Sequence, residues 1–194
     1  MQHDRILRCS YAALTGLLAL ALPAVARPHC GQLDLAVLRV EAAPTQYRDF
    51  CALDPEACAM VGEPVLDWTD ELNALSSRIN AEVNAEIELV PDEDNLGREE
   101  VWSLPVNCRG DCEDFALEKR RRLTDAGVPR AALTMAIVFH KLQFYSHAVL
   151  LLETTRGTWV LDNLHDDLMC WDALPYRYTH RERPDGHWTR FENR

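Results

Sequence analysis

The chain has no basic surplus: 20 Lys and Arg stand against 31 Asp and Glu in 194 residues, a net charge of -11. A protein that tracks nucleic-acid phosphates presents a basic face, so this balance argues against nucleic acid as a partner. Internal repeats and low-complexity linkers are absent, which argues against a solenoid or a string of tethered modules. Beyond the first 26 residues no apolar run approaches bilayer length, so the remainder does not span a membrane. Seven cysteines are too few for a small disulfide scaffold, yet many for a reducing cytosol. What is present is ordinary globular material. Hydrophobic content of 47% and charged content of 26% exclude wholesale disorder, and the length suits one domain with a real core.

The compartment follows from residues 1–26. Arg5 and Arg8 make a basic start, residues 11–22 form a short apolar run, and Ala24-Val25-Ala26 supplies a small-x-small cleavage pattern. This reads as a signal peptide cut after Ala26, leaving residues 27–194 as a single exported domain. That domain keeps Cys30, Cys51, Cys58, Cys108, Cys112 and Cys170, an even set that invites three disulfides in an oxidising compartment. Cys51 and Cys58 can close a short loop, stabilising by about 2–3 kcal/mol on the loop-entropy model.

Hydrophobic periodicity then orders the chain. Leu72, Leu75, Ile79, Val83 and Ile87 predict a helix over 67–87, with Asp67 or Thr69 as its cap. Asn80 and Asn84 share one face of it, solvated or hydrogen-bonded. The acidic string 91–97 lacks EF-hand spacing and reads as a solvated turn. A second helix starts at Asp111 or Cys112 and ends at Asp125, before Gly127 and Pro129. Cys112, Phe115, Ala116 and Leu123 form its inner face, with residues 119–122 turned largely outward. Alternating runs at 133–140, 148–153 and 158–162 predict strands, the last two joined by a hairpin loop at 154–157. Helices followed by consecutive strands indicate an α+β fold.

The string Gly110-Asp111-Cys112-Glu113-Asp114 carries the chemistry. A thiol at a helix N-terminus meets unpaired backbone N–H groups and the positive end of the dipole, which favour thiolate. Asp111, Glu113 and Asp114 push the other way unless an imidazolium or a bound cation neutralises them. If Glu153 pairs with Thr158 across the hairpin, Asp162 faces Val149 and His147 lies diagonally beside it on the same face. Cys112 as nucleophile, His147 as base and Asp162 as orienter then form an acyl-transfer set. The Cys112 backbone N–H can donate to an oxyanion, with Asn107 or Trp102 as candidates for a second donor. Structural alternatives exist for each: a half-cystine, a hydrogen-bonded strand histidine, a turn carboxylate. Among the other histidines, His29 is near the cleavage point, His165 is in a loop, His180 and His187 are in a polar tail, and His140 is structural.

Trp102-x-x-Pro105, the Gly110 to Ala116 string with Lys119, His147-Ala148-Val149-Leu150 and Val160-Leu161-Asp162-Asn163 together resemble the bacterial transglutaminase-like cysteine proteinases, of the LapG-like kind. Phe50-Cys51, Cys58 and the Asn80/Asn84 helix extend the resemblance over most of residues 45–178. It implies a papain/transglutaminase-like fold, with the nucleophile helix packed on an antiparallel sheet. It assigns Cys112, His147 and Asp162 to catalysis, and Asp111, Glu113 and, further, Asp114 to Ca2+; the alternative is that Asp111 caps the helix and Asp114 supports its first turn. It further implies a periplasmic, calcium-dependent endopeptidase that cuts a large surface adhesin at small residues such as paired alanines, and so controls attachment and biofilm. The partner implied is an inner-membrane receptor that senses cyclic di-GMP. The same triad also suits a transglutaminase or an amidase, and the fold alone suits a non-catalytic receptor-docking module. With Cys112 free, Cys108 either forms a reversible disulfide with it or pairs with Cys30 or Cys170.

Overall fold

Strands whose successive residues are all apolar must be covered on both faces, and this requirement organises the computed structural model, which describes residues 30–192. The signal peptide expected at residues 1–26, and His29, lie outside the described residues. In chain order the elements are β1 (Val37–Glu41), α1 (Thr45–Leu53), α2 (Pro55–Cys58), α3 (Asp70–Glu86), β2 (Glu88–Leu89), α4 (Asp92–Leu96), β3 (Arg109–Gly110) and α5 (Cys112–Asp125), followed by β4 (Leu133–His140), β5 (Ser146–Thr154), β6 (Gly157–Asp162), β7 (His165–Cys170), β8 (Tyr176–Glu182) and β9 (Trp188–Phe191). Seven strands form one antiparallel sheet in the order β1-β9-β8-β4-β5-β6-β7. One face packs Leu133, Met135, Leu150 and Leu152 against Phe115, Leu117 and Leu123 of α5 and Ile79 and Val83 of α3. The other packs Val138, Val149, Leu151 and Val160 with Tyr176, Tyr178 and Leu33. Among the described residues, no helix is long and apolar enough to cross a membrane.

The expected helices and strands are present, with Thr69 as the cap of α3 through its side chain and Leu72 N–H. The hairpin register is the expected one: Glu153 pairs with Thr158 and Leu150 with Leu161. Four expectations need correction. The polar tail is instead β8 and β9, which complete the sheet and hold His180 and the approach to His187. The string 91–97 is mostly the short helix α4, and Asp92 is buried rather than solvated. Residues 119–122 do not all face outward, because Lys119 and Arg120 are buried. Arg120 donates to Tyr47 Oη at 2.9 Å, Tyr47 donates to Glu182, and Arg130 reaches Glu182 Oε1 at 2.8 Å. This polar knot ties α5 to α1 and β8, so the guanidinium points in. The cysteines, finally, form not three disulfides but two, Cys30–Cys170 and the expected Cys51–Cys58, and Cys108 and Cys112 are free thiols. Cys108 therefore pairs with neither Cys30 nor Cys170, and it is not bonded to Cys112.

Candidate active site

The parallel pairing of β2 with β3 delivers the chain to the start of α5. Glu88 lies opposite Arg109 and Leu89 opposite Gly110. Asp111 is the N-cap residue, yet its side chain makes no capping hydrogen bond; the helix opens through Phe115 N–H donating to the Asp111 carbonyl at 3.1 Å. Cys112 is thus the first helical residue, half-buried, with its Sγ–H donating to Glu113 Oε2 at 3.2 Å. Ala148 N–H donates to Cys112 Sγ at 3.4 Å, which ties the thiol to β5 one residue from His147. Burial pushes the Cys112 thiol well up, and the nearby Glu113 and Asp111 charges add to this.

His147 and Asp162 meet as the register requires. His147 Nε2 lies 2.8 Å from Asp162 Oδ1, and both side chains are buried. Leu164 N–H also donates to Oδ1 at 3.0 Å, and Tyr176 Oη donates to Oδ2. Burial alone raises the Asp162 carboxyl, but the hydrogen bonds and charge of His147, with Tyr176 and Leu164, outweigh it and hold it below the usual range. Asn80 Nδ2 donates to the His165 and Asp166 carbonyls at 2.7 and 2.8 Å. Asn84 Nδ2 donates to the Asp162 carbonyl at 3.0 Å. The shared Asn face of α3 is therefore hydrogen-bonded, and it clamps the turn that carries Asp162. With Nε2 engaged, Nδ1 is the His147 nitrogen left to exchange a proton with Cys112.

Cys112 and His147 both line an open cleft of about 100 Å³, together with Trp102, Glu100, Gln46 and Ile137. Trp102, one candidate for a second oxyanion donor, lines this cleft; Asn107, the other, stands in the preceding turn and does not. A larger hollow of about 500 Å³ lies between α1, α2 and α5, lined by Phe50, Leu117 and Thr124, and contains none of the three catalytic candidates. Size alone does not make a site where nucleophile and base are elsewhere. His140 is structural, its Nδ1 accepting from Leu142 and Gln143 N–H at 3.3 and 3.2 Å. His165 opens β7, and His180 sits 3.2 Å from Glu41.

A carboxylate group lies beside the thiol. One oxygen each from Asp92, Asp111 and Asp114 fall within 4.8 Å of one another. Asp92 Oδ1, Asp111 Oδ1 and Asp114 Oδ2 are buried without a hydrogen-bond partner, while Asp92 Oδ2 accepts from Val101 N–H and Asp114 Oδ1 from Ser103 N–H. Burial pushes the Asp114 carboxyl up to about 7, opposed by Ser103 and aided by Asp111. Hard oxygen donors left unpaired and crowded together suit a divalent cation such as Ca2+. Glu113 instead joins Asp111 and the Cys112 sulfur in a second group, with its carboxyl pushed up to about 9 by burial and by Asp111. Of the ligands expected from sequence, Asp111 thus belongs to both groups, Asp114 to the all-carboxylate one and Glu113 to the other. Asp92 is the residue that sequence reasoning missed, because a loop-based calcium template seeks its ligands in one segment. Gly110 makes the arrangement possible: a Cβ there would lie 2.5 Å from Asp114 Oδ2.

A family model described as bacterial transglutaminase-like cysteine proteinase matches residues 37–194. Among solved structures, calcium-bound Legionella pneumophila LapG is 22% identical, with a TM-score of 0.54 covering 78% of this chain and 84% of that one. EGTA-treated Legionella pneumophila LapG is likewise 22% identical, with a TM-score of 0.53 over 77% of this chain and 80% of that chain. A third structure of Legionella pneumophila LapG, 21% identical, has a TM-score of 0.53 over 76% and 81% of the two chains. The likeness is one of fold, helices on an antiparallel sheet in the transglutaminase-like manner. No curated protein matches the chain.

Proposed function

Because the chain belongs to the bacterial transglutaminase-like cysteine proteinase family, we propose that it is an exported endopeptidase in which Cys112, His147 and Asp162 carry the reaction. The observation that carries this reading is the buried His147–Asp162 pair at 2.8 Å beside a cleft shared with a helix-start thiol. The Cys112 thiol gives its proton to His147 Nδ1 as Sγ attacks the carbonyl carbon of the substrate. Asp162 holds the ring by Nε2 and stabilises the imidazolium. The oxyanion lies against the Cys112 backbone N–H at the start of α5. His147 then protonates the leaving amine, and water, deprotonated by the same ring, releases the acyl group from sulfur.

Asp92, Asp111 and Asp114 would hold Ca2+, and the calcium-bound form of LapG supports this choice of ion. When bound there, the ion supplies positive charge beside carboxylates that otherwise oppose the thiolate. Glu113, whose Oε2 accepts the thiol hydrogen bond, groups with Asp111 and the Cys112 sulfur beside them.

Two disulfides support an oxidising compartment, in keeping with a signal peptide cut after Ala26 and a periplasmic location. By family resemblance the substrate is a large surface adhesin cut at paired alanines, with consequences for attachment and biofilm. A membrane receptor that senses cyclic di-GMP would be the regulator. Cys112→Ala is expected to abolish cleavage of a peptide with a central Ala-Ala pair, and a calcium chelator to suppress it reversibly. Undiminished cleavage by the alanine variant overturns the assignment. Labelled amine incorporated without new peptide termini would instead identify a transglutaminase, and full cellular effect of the alanine variant a docking module.

A further inference from the structure

The β4–β5 connection, residues 141–145, holds apolar side chains out in solvent. Leu142 is 72% exposed, Phe144 76% and Tyr145 38%. Single exposed apolar residues are unremarkable, but three within four positions of one turn form a patch. The turn is also stiff. His140 N–H donates to the Tyr145 carbonyl at 2.9 Å, Phe144 N–H to the His140 carbonyl at 2.8 Å, and Lys141 N–H to the Pro175 carbonyl at 2.8 Å. The buried His140 ring accepts from two more backbone N–H groups at the tip. Phe144 sits at φ 62°, a left-handed conformation that a bulky side chain adopts only when its surroundings impose it. The turn therefore displays this ring at a conformational cost, where Gly or Asn would be at ease.

The patch is continuous with the catalytic cleft. The Tyr145 ring stands edge-on to His147 at 6.0 Å between centroids and stacks on His140 at 5.5 Å. The Phe144 ring meets Phe139 at 6.4 Å, and Phe139 is paired across the ladder with Ser146, which lines the cleft. Direction follows from the chemistry. His147 protonates the leaving amine, so the part of a substrate that follows the scissile bond passes His147. At about 3.3 Å per extended residue, it reaches Tyr145 and the tip within a few residues.

We propose that this turn is a substrate-gripping lip, with Leu142 and Phe144 taking up an apolar side chain within the first three residues after the scissile bond. The proposal rests on the endopeptidase reading. It is tested on the full chain with calcium, using acetylated decapeptides with a central Ala-Ala pair and Leu, Phe, Ser or Asp at each of the three following positions. Wild type is expected to prefer Leu or Phe at one of them about tenfold in kcat/KM, mainly through KM. The Leu142→Ser/Phe144→Ser double variant is expected to reduce that preference to about twofold or less. Phe144→Gly, which suits the positive φ and keeps the turn, is expected to weaken the preference in the same direction. Unchanged alkylation of Cys112 by iodoacetamide reports an intact site in each variant. A wild type indifferent to these positions, or variants that keep the preference, overturn the lip alone. A wild type that cleaves none of the peptides while Cys112 alkylates overturns the endopeptidase reading and the lip with it.

Discussion

The Asp162 carboxylate accepts from three donors, and Tyr176 is the one that can be removed without touching the pair with His147. Tyr176→Phe leaves Oδ2 without its donor in a buried place, so the carboxyl rises from its depressed value. A depressed carboxyl contributes stability that is present above its unfolded pKa and lost as pH falls through the folded one. The variant should therefore lose activity at higher pH on the acid side than wild type, with kcat/KM down about tenfold at neutral pH. A pH–rate profile with an unmoved acid limb would show that Tyr176 matters only for packing. Gly110 offers a second test at single-atom scale. In Gly110→Ala the new Cβ would press on Asp114 Oδ2, so the rise in Tm on adding calcium is expected in wild type and lost in the variant. Tyr176 carried no sequence signal, standing in no motif and no periodic run. Asp162 and His147 did, because a two-residue period and a short hairpin place them on one face.

Helix α5 shows where pattern reading stops at the scale of an element. Its ends are set by local chemistry: the extended backbone of Asp111 before it, Gly127 and Pro129 after it. Its orientation is not local, because Arg120 turns inward toward Glu182, 62 residues further on. Lys119 is fully buried and its Nζ has no hydrogen-bond partner. Burial lowers the Lys119 amine from 10.5 to about 7, against the attraction of Asp162 and Asp166. The sign follows from linkage. The unfolded amine is charged up to about pH 10, whereas folding opposes that charge, so the destabilisation is full below about pH 7 and fades as pH rises. Lys119→Met removes it, and should raise stability by on the order of 3 kcal/mol at about pH 7, the two proteins converging by about pH 10. Urea denaturation across that range measures the difference; a variant less stable than wild type at neutral pH would contradict it.

At the scale of the molecule, the two disulfides do unequal work. Cys30–Cys170 closes a separation of 140 residues and fastens the segment ahead of β1 to the end of β7, at the far edge of the sheet; Cys51–Cys58 spans only 7. Loop entropy assigns about 5 kcal/mol to the long closure and about 2.5 kcal/mol to the short one. Cys30→Ser/Cys170→Ser should thus lower the urea midpoint more than Cys51→Ser/Cys58→Ser, with Cys112 still alkylated in both; equal midpoints would refute the ranking. The candidate site is assembled at this same scale. Cys112 comes from α5, His147 from β5, Asp162 from β6 and Asp92 from α4. The sequence by itself determined the elements whose signals are local: the start of α5 with its thiol, the amphipathic run of α3, and the β5–β6 register that sets His147 against Asp162. Periodicity, capping and turn length act over a few residues, so they can be read without a fold. Only the tertiary structure decided that Cys30 pairs with Cys170, that Lys119 and Arg120 lie inside, that β8 and β9 complete the sheet, and that Asp92 comes to Asp111 and Asp114. Each of those depends on groups far apart in the chain, brought together by the burial of both sheet faces, and no local rule carries that information.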